Sequence, residues 1–340
     1  MQNIVIAGFG FMGGMHAQVY GRLPQARLIA IVDSNRAAAT ANLKKFGLKT
    51  PIYASLDDAM AKHAIDVVDI CLPTPAHAPF VRRALKAGKA IFCEKPFAAT
   101  ALEASALAAA IERAKAKAQV GQCIRFWPEY QALTEFVRGR QAGRLLSLSL
   151  QRRSSRPSYT VGDWSSNSRL SGGAALDLHI HDTDFVHHLL GRPKAVTSVG
   201  TKDRGGWSHI FTLYHFPTVA VTAEGGWNYP PKWGFQMAFQ CVFERGTVEY
   251  DSGANPTLTV TMEGKSKQAL PFAQPRVGES KGGAGNISSL GGYFNELEAF
   301  IDSLERGQAP KLATPRQAAE SVRTVAAEIR SLQTGRTVKL

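Results

Sequence analysis

Residues 3–14 read NIVIAGFGFMGG, an apolar strand-forming run that leads directly into Gly8, Gly10 and Gly13. In this pattern the first glycine permits a tight turn, the second lets the backbone approach a pyrophosphate, and the third allows a helix to pack closely. The N-terminus of that helix presents N–H groups to an anion. The stretch therefore predicts a strand, turn and helix that bind a dinucleotide.

An acidic residue, Asp33, ends the second predicted strand about 20 residues after these glycines. A carboxylate there would accept hydrogen bonds from ribose hydroxyls and would repel a 2′-phosphate, which favours NAD. Ser34 and Arg36 lie close enough to receive a phosphate if Asp33 turned away. NADP therefore remains an alternative cofactor.

The chain up to about residue 120 alternates apolar strands with Ala-rich helical stretches. The predicted strands are 3–7, 27–33, 67–72 and 90–93, and the predicted helices lie near 12–23, 35–46, 76–87 and 100–117. Continuously apolar strands need cover on both faces of their sheet. We therefore expect an α/β Rossmann fold, a doubly wound parallel sheet, over residues 1–122.

After Arg125 the pattern changes to that of an α+β domain. The predicted elements are helices near 128–139, 173–190, 290–305 and 315–334, and strands near 145–153, 194–203, 207–215, 218–226, 235–243, 246–251 and 257–262. Thr314 and Pro315 are placed to begin the last helix. We expect residues 123–340 to form a second domain with a large, mostly antiparallel, open-faced sheet, whose C-terminal helix could pack back on the first domain.

Composition excludes several classes of protein. The 340 residues are 44% hydrophobic and 20% charged, and the net charge of +13 is dispersed rather than clustered, so we expect no nucleic-acid partner. No apolar run approaches the roughly 18 residues of a membrane span, and the chain does not start like a secretory signal, so we expect a cytoplasmic protein. The cysteines are scattered, as expected for reduced thiols. They are Cys71, Cys93, Cys123 and Cys241.

The sequence Glu94, Lys95, Pro96 follows the strand that ends at Cys93. It lies at the carboxyl edge of the predicted sheet, where doubly wound folds bind their ligands. Lys95 is therefore a candidate functional residue. The alternative is a surface lysine beside a turn proline.

Residues 171–185 read SGGAALDLHIHDTDF. Ser171 can cap a helix that begins at the two glycines, and Asp177, His181 and Asp184 then share one face. A carboxylate one turn from an imidazole can hold its tautomer and stabilise its protonated form, as a general base requires. The alternative for His181 is a core histidine bonded to one of these carboxylates. We predict no metal site, because an HxH pair within a helix points its ligands apart.

Together these motifs resemble the Gfo/Idh/MocA family of oxidoreductases, which includes inositol dehydrogenases and many sugar dehydrogenases. The resemblance covers nearly the whole chain. It rests on the GFGFMG turn, PTPAH at 73–77, EKP at 94–96, VGQCIRFWPEY at 120–130, the GG-D-x-x-x-H-x-x-D pattern and FNELEAFIDSLERG at 294–307. It implies that the second domain binds substrate and joins homodimers or homotetramers through its open sheet face.

The resemblance also implies a set of site residues. The catalytic residues are Lys95, Asp177 and His181; the substrate-binding residues are Lys95, Arg125, Trp164, Asp177 and His181. The cofactor-binding residues are Gly8, Phe9, Gly10, Phe11, Met12, Gly13, Asp33, Ser34, Arg36, Leu72, Pro73, Thr74, His77, Glu94 and Lys95. Two positions depart from many relatives, Cys123 in place of Asn and His179 in place of Gly.

The implied activity is NAD(P)-dependent hydride transfer between nicotinamide and a secondary alcohol or ketone of a sugar, cyclitol or sugar derivative. His181 would accept the hydroxyl proton, Asp177 would orient the imidazole, and Lys95 would stabilise the alkoxide. Further candidates for ring or anion contacts are Trp227, Tyr229, Trp233, Arg152, Arg153 and Arg156, with core aromatics and an exposed strand face as alternatives. Two rival functions are a non-catalytic dinucleotide-binding regulator and an enzyme that retains NAD for transient oxidation during glycoside cleavage or epimerisation.

Overall fold

The computed structural model describes residues 1–157, 171–273 and 290–340. The described residues form two compact units, the first containing 1–123 and 290–322, the second containing 124–157, 171–273 and 323–340. Trp164, a predicted substrate-binding residue, lies outside the described residues. The division into domains at residue 122 remains a prediction. No helix in the described ranges is both long and apolar enough to cross a membrane.

The first unit contains a six-stranded sheet in which every neighbouring pair is parallel. Its strands are β1 (Gln2–Ala7), β2 (Ala26–Val32), β3 (Ile52–Tyr53), β4 (Val67–Ile70), β5 (Ala90–Glu94) and β6 (Ala118–Gly121). Their order across the sheet is β3, β2, β1, β4, β5, β6. This is the doubly wound order that reverses beside β1, and it confirms the predicted Rossmann fold.

Helices follow the strands of the first unit in sequence. They are α1 (Phe11–Tyr20), α2 (Arg36–Phe46), α3 (Leu56–Lys62), α4 (His77–Lys86) and α5 (Ala101–Arg113), with 3₁₀ turns at Thr74–Ala76 and Cys123–Phe126. The helix Gly291–Glu305 packs against α1 within the same unit. The sequence analysis missed α3 because seven residues that include Asp57 and Asp58 show too little apolar periodicity.

The second unit contains a nine-stranded sheet. Its strands are β7 (Leu145–Ser155), β8 (Ala195–Asp203), β9 (Gly206–His215), β10 (Ala220–Tyr229), β11 (Phe235–Phe243), β12 (Gly246–Asp251), β13 (Leu258–Met262), β14 (Gln268–Ala269) and β15 (Val338–Lys339). The order is β14, β13, β12, β11, β7, β10, β9, β8, β15, and only β7 and β10 pair in parallel. The predicted mostly antiparallel sheet is confirmed.

One face of this sheet is covered by helices. The helix Pro128–Arg138 precedes β7, and a π-helical segment, Ala175–His179, continues into the helix Ile180–Leu190, which contacts β7 and β10. The last helix, Pro315–Thr334, begins in the first unit and ends in the second. The opposite face of the sheet carries exposed apolar side chains, among them Val199 on β8 and Phe211 on β9.

The predicted start of the helix near residue 173 is confirmed. Gly172 and Gly173 have φ angles of +74° and +71°, in the left-handed region that favours glycine. Ser171 also contributes, since its Oγ accepts a hydrogen bond from Gly173 N at 3.1 Å. The predicted cap of the last helix is confirmed as well, because Thr314 Oγ1 accepts from Gln317 N and the Gln317 side chain accepts from Thr314 N.

A buried ion pair joins β7 to the helix Ile180–Leu190. The Arg152 guanidinium donates two hydrogen bonds of 2.9 Å to the Asp182 carboxylate, and both side chains are at most 1% exposed. The Tyr130 hydroxyl accepts a third, longer contact from Arg152 at 3.5 Å. Such a pair is stable only while both charges are present, because either one alone would be buried without compensation.

Arg152→Ala should therefore lower the free energy of unfolding by about 3–5 kcal/mol, since it leaves the Asp182 carboxylate buried and unpaired. The measurement is urea unfolding followed by circular dichroism. Arg144→Ala is the matched control, because Arg144 pairs with Glu244 at the surface, where solvent screens the charges. Equal losses for the two variants would contradict this account.

Candidate functional site

The three glycines of the turn after β1 have two different roles, backbone packing and space for a ligand. A Cβ on Gly8, whose φ is +89°, would lie 2.6 Å from the Cys71 carbonyl oxygen, and a Cβ on Gly13 would lie 2.1 Å from the Gly8 carbonyl oxygen. These two glycines are required by the protein's own packing. A Cβ on Gly10 would meet no atom of the described residues within 4 Å. The space beside Gly10, at the N-terminus of α1, therefore fits a bound pyrophosphate.

The turn is fixed by two side chains of neighbouring elements. One Asp33 oxygen accepts a hydrogen bond from Phe9 N at 2.8 Å, and the other accepts from Asn35 N at 2.7 Å. The Asn42 amide donates to the Phe9 carbonyl at 2.7 Å. Asp33 therefore supports the turn, and it also lies where a carboxylate that binds the ribose hydroxyls is expected. The sequence analysis missed Asn42, because an Asn inside a helix carries no signal of a distant backbone partner.

Ser34 and Arg36 are exposed beside the half-buried Asp33. Phe11 and Met12, at the start of α1, are partly exposed, whereas Phe9 is buried. The predicted cofactor residues of this region thus surround the N-terminus of α1 and the end of β2. Their assignment as cofactor ligands stays a prediction.

A buried polar cluster lies under this region, between α1, β4 and β5. His16 Nδ1 is 2.8 Å from Asp69 Oδ2, which also accepts a hydrogen bond from the Tyr20 hydroxyl at 3.0 Å. His16 Nε2 is 3.2 Å from Glu94 Oε1. Burial opposes protonation, but Asp69 and Cys71 raise the pKa of His16 well above its ordinary value. The sequence signal was Asp69 itself, an acid within an apolar strand that must find a partner.

Lys95 directly follows the last residue of β5, and the backbone on either side of it is fixed by Glu94 and Pro96. Its backbone N–H donates to the Glu94 carboxylate at 3.0 Å, and the Lys95–Pro96 peptide is cis. Gly121 leaves room for that carboxylate, because a Cβ there would lie 2.9 Å from it. Lys95 is half-buried between the buried residues Glu94 and Pro96.

His77 connects two of the predicted cofactor segments. Its ring is buried, with Nδ1 2.9 Å from the Pro96 carbonyl oxygen and Nε2 2.7 Å from the Leu72 carbonyl oxygen. Burial lowers the pKa of His77, and the two carbonyls oppose that effect. The ring therefore joins the loop after β4 to the Lys95 turn. Of the neighbouring predicted residues, Thr74 is buried and Pro73 is exposed.

In the second unit, the segment 174–186 presents two side chains. Asp177 and His181 are half-buried, and the other eleven residues of the segment are buried. Three consecutive side chains anchor it. Asp182 pairs with Arg152, the Thr183 hydroxyl donates to Glu328 Oε1 at 3.0 Å, and Asp184 accepts two hydrogen bonds of 2.7 and 2.8 Å from Arg125.

Asp184, predicted to share one helix face with Asp177 and His181, is more deeply buried than either of them. Asp184 is 1% exposed and its carboxylate is paired with Arg125, itself buried. The π-helical segment 175–179 changes the angular spacing between Asp177 and the residues after it. Arg125 as a substrate ligand stays a prediction, and its bidentate pairing with Asp184 favours a structural role.

The other aromatic and basic candidates of this unit find partners within it. Trp227 is 1% exposed and packs with Ala174 and Leu178. Arg153 pairs with Glu224, and Arg156 pairs with Asp203 and lies over the Trp227 ring. Tyr229 and Trp233 contact each other with ring centroids 4.3 Å apart. Core packing accounts for Trp227, and ion pairs account for Arg153 and Arg156, whereas Trp233 is 42% exposed.

The fold and the glycine turn define a dinucleotide-binding protein of the Rossmann class. Comparisons with known proteins are specific about the family. Residues 2–122 match the Gfo/Idh/MocA oxidoreductase family, NAD-binding Rossmann fold, and residues 135–340 match its C-terminal alpha/beta domain.

Similar proteins support the same assignment. The inositol 2-dehydrogenase of Rhizobium meliloti (strain 1021) is 29% identical over 312 residues, 89% of this chain and 88% of that protein. The D-xylose 1-dehydrogenase (NADP(+)) 2 of Haloferax volcanii is 26% identical and covers 98% of this chain and 99% of its own length. The crystal structure of a putative myo-inositol dehydrogenase from Sinorhizobium meliloti 1021 superposes with a TM-score of 0.78 at 25% identity, covering 100% of this chain and 99% of that one.

The chain therefore belongs to the Gfo/Idh/MocA family of oxidoreductases. It is an NAD(P)-dependent dehydrogenase acting on CH–OH groups, and NAD is its cofactor. The predicted fold, family and cofactor are confirmed. The assignment of individual catalytic and binding residues stays a prediction.

Gly10→Ala tests whether the turn binds the dinucleotide. The added methyl meets no atom in the part of the chain that the structure describes, so the free energy of unfolding should stay unchanged. The dissociation constant for NAD should rise about tenfold or more, a loss of about 1.4 kcal/mol. Fluorescence titration and urea unfolding measure the two quantities. Gly21→Ala, at the far end of α1, is the control and should change neither. Unaltered NAD affinity in Gly10→Ala would show that the pyrophosphate lies elsewhere.

Proposed function

We propose that this protein transfers hydride between NAD and a secondary alcohol or ketone of a sugar or cyclitol, with His181 as the general base. The observation that carries the proposal is the exposure pattern of the segment 174–186, in which Asp177 and His181 are half-buried and every other residue is buried. A helix core that needed only packing would not keep an acid and an imidazole at its two open positions. The names of the inositol and xylose dehydrogenases to which the chain is similar support the substrate class.

In this mechanism His181 accepts the proton of the carbinol hydroxyl. Asp177 orients the imidazole and stabilises the imidazolium that forms, and the Lys95 ammonium stabilises the negative charge that develops on the oxygen. A bound nicotinamide would supply the hydride acceptor. The reverse sequence reduces a ketone, with His181 returning the proton.

The preference for NAD over NADP rests on Asp33. Its carboxylate already accepts hydrogen bonds from Phe9 N and Asn35 N, so it is held toward the turn as an anion that would repel a 2′-phosphate. Ser34 and Arg36 are exposed next to Asp33, where they could bind the 2′-phosphate if NADP were the cofactor. We also propose a cytoplasmic location, in line with four cysteines that form no disulfide.

The test is reduction of NAD in a panel of cyclitols and sugars, read by the absorbance of the reduced nicotinamide. Lys95→Ala and His181→Ala should each lower kcat about a hundredfold or more while NAD affinity is kept. His188→Ala is the matched control, a half-buried histidine two turns further along the same helix, and should keep kcat. NADP should give a lower kcat/KM than NAD.

Two results would contradict the proposal. Turnover of His181→Ala at the rate of the unaltered protein would remove the assigned base. No turnover of any compound, together with tightly retained NAD, would favour a regulator or an enzyme that uses transient oxidation.

We further propose that a second copy of the chain covers the open face of the nine-stranded sheet. Val199 lies opposite Phe211 in the β8 and β9 pairing, and Leu213 lies two residues further along β9. Their side chains are 65%, 48% and 42% exposed, which is unusual for three neighbouring large apolar residues. An exposed apolar sheet face of this kind suits an isologous dimer.

Phe211→Glu should convert the protein to a monomer, because the interface would then bury a charge on each copy. Light scattering after size-exclusion chromatography measures the mass. Leu102→Glu, which alters an equally apolar but 83% exposed residue on α5, is the control and should leave the mass unchanged. A monomeric mass for the unaltered protein would overturn this proposal.

A further inference from the structure

The last helix carries a buried carboxyl group, Glu328, that no Lys or Arg of the described residues pairs with. Glu328 is 0% exposed, and within the described residues the only group at ion-pair distance is the His179 imidazole, whose Nε2 is 3.6 Å from Oε2. Its other oxygen, Oε1, accepts a hydrogen bond of 3.0 Å from the Thr183 hydroxyl. Glu328 therefore contacts the segment 174–186 on both sides of His181, at His179 and at Thr183.

His179 is the second member of this network. Its ring is buried against β10, where a Cβ on Gly225 would lie 2.7 Å from Nδ1. Nε2 lies 3.2 Å from the Thr212 hydroxyl and 3.2 Å from the Tyr214 hydroxyl. His179 belongs to the π-helical segment that also contains Asp177. A displacement of this ring would therefore move the segment that presents Asp177.

Thr183 completes the connection. Its Oγ1 lies 2.8 Å from the Tyr214 hydroxyl and 3.4 Å from the His179 carbonyl oxygen, in addition to its bond with Glu328. Thr183 and His179 flank His181 at a distance of two residues on either side. The network thus holds the backbone before and after the proposed base.

We propose that the Glu328 carboxyl positions His181 and Asp177, acting through Thr183 and His179. The inference rests on the proposed function, because it takes these two side chains as the reacting groups. Glu328 is a positioning residue and touches no substrate in this account. The network holds the segment correctly while it is uncharged, because a buried anion without a cation would draw the surrounding dipoles toward itself.

The charges around the network agree with an uncharged state. Burial raises the pKa of Glu328 to about 8, against the hydrogen bonds from Tyr214 and Thr183, and Asp182 adds to the rise. Burial lowers the pKa of His179 to about 3, with Arg152 and His209 adding to the effect. Arg152 is already paired with Asp182, so it is not available to neutralise an ionised Glu328.

The pH dependence follows from the direction of the Glu328 shift. The folded protein holds this proton up to about pH 8, while an unfolded chain releases it near the ordinary value of 4.5. Stability due to this group is therefore present at low pH and is lost as the pH rises through this interval. Near the upper end Glu328 ionises in the folded protein, and we expect kcat to fall severalfold between pH 7 and pH 9.

Glu328→Gln keeps the shape and cannot ionise. We expect kcat within about twofold of the unaltered protein at pH 7 and no such decline toward pH 9. Glu328→Ala should lower kcat about tenfold at every pH with KM and NAD affinity unchanged, because it removes the partner of Thr183 without touching the ligands. Ser331→Ala is the matched control on the same helix: its hydroxyl bonds Ser198 N and the Arg336 carbonyl, and its loss should leave the pH profile of kcat as it is.

Hydrogen exchange of the peptide 174–186 supplies a readout that needs no substrate. At pH 9 its amides should exchange faster in the unaltered protein than in Glu328→Gln, and at pH 7 the two should agree. Superimposable pH profiles of kcat and equal exchange at both pH values would overturn the proposal. The predicted exchange difference without turnover of any polyol would instead overturn the proposed function and leave the network in place.

Discussion

Three consecutive buried side chains fix the orientation of the helix that carries the proposed base. Asp182 is bonded to Arg152 on β7, Thr183 to Glu328 on the last helix, and Asp184 to Arg125 in the 3₁₀ turn after β6. A helix held by one side-chain contact can rotate about its axis, whereas contacts to three different elements prevent that rotation. The half-buried state of His181 is the geometric consequence, since the adjacent positions are all committed to the interior.

Buried polar contacts also fix the turns of the first unit. In the glycine turn, Phe9 N donates a hydrogen bond to Asp33 and the Phe9 carbonyl accepts one from the Asn42 amide. Helix α1 is joined to β4 through His16 and Asp69. Glu94 extends that cluster to the Lys95 turn. Burying a charge lowers the free energy of unfolding unless the charge is paired. We therefore interpret this cluster as positioning the turn backbone and Lys95 rather than as stabilising the fold alone.

The sequence was sufficient wherever the local pattern decides the structure. The alternation of apolar strands with helical stretches predicted the parallel sheet, and Gly8 and Gly13 predicted the turn, where a Cβ on either residue would clash with backbone. The sequence failed where distant elements decide. Nothing local indicates that Asp184 meets Arg125 about 60 residues earlier in the chain, or that Gly172 and Gly173 adopt left-handed φ angles. The π-helical segment 175–179, which contains Asp177, also has no signal in the sequence.

The central claim is that the protein moves hydride directly between a ring carbinol and NAD with His181 as the base. The most direct measurement uses the preferred polyol or sugar carrying deuterium on the reacting carbon, with mass spectrometry of the nicotinamide product. The account predicts one deuterium in the reduced nicotinamide for each molecule oxidised, and formation of that product about a hundredfold or more slower with His181→Ala. Conversion of the substrate without deuterium accumulating in free reduced nicotinamide would contradict it.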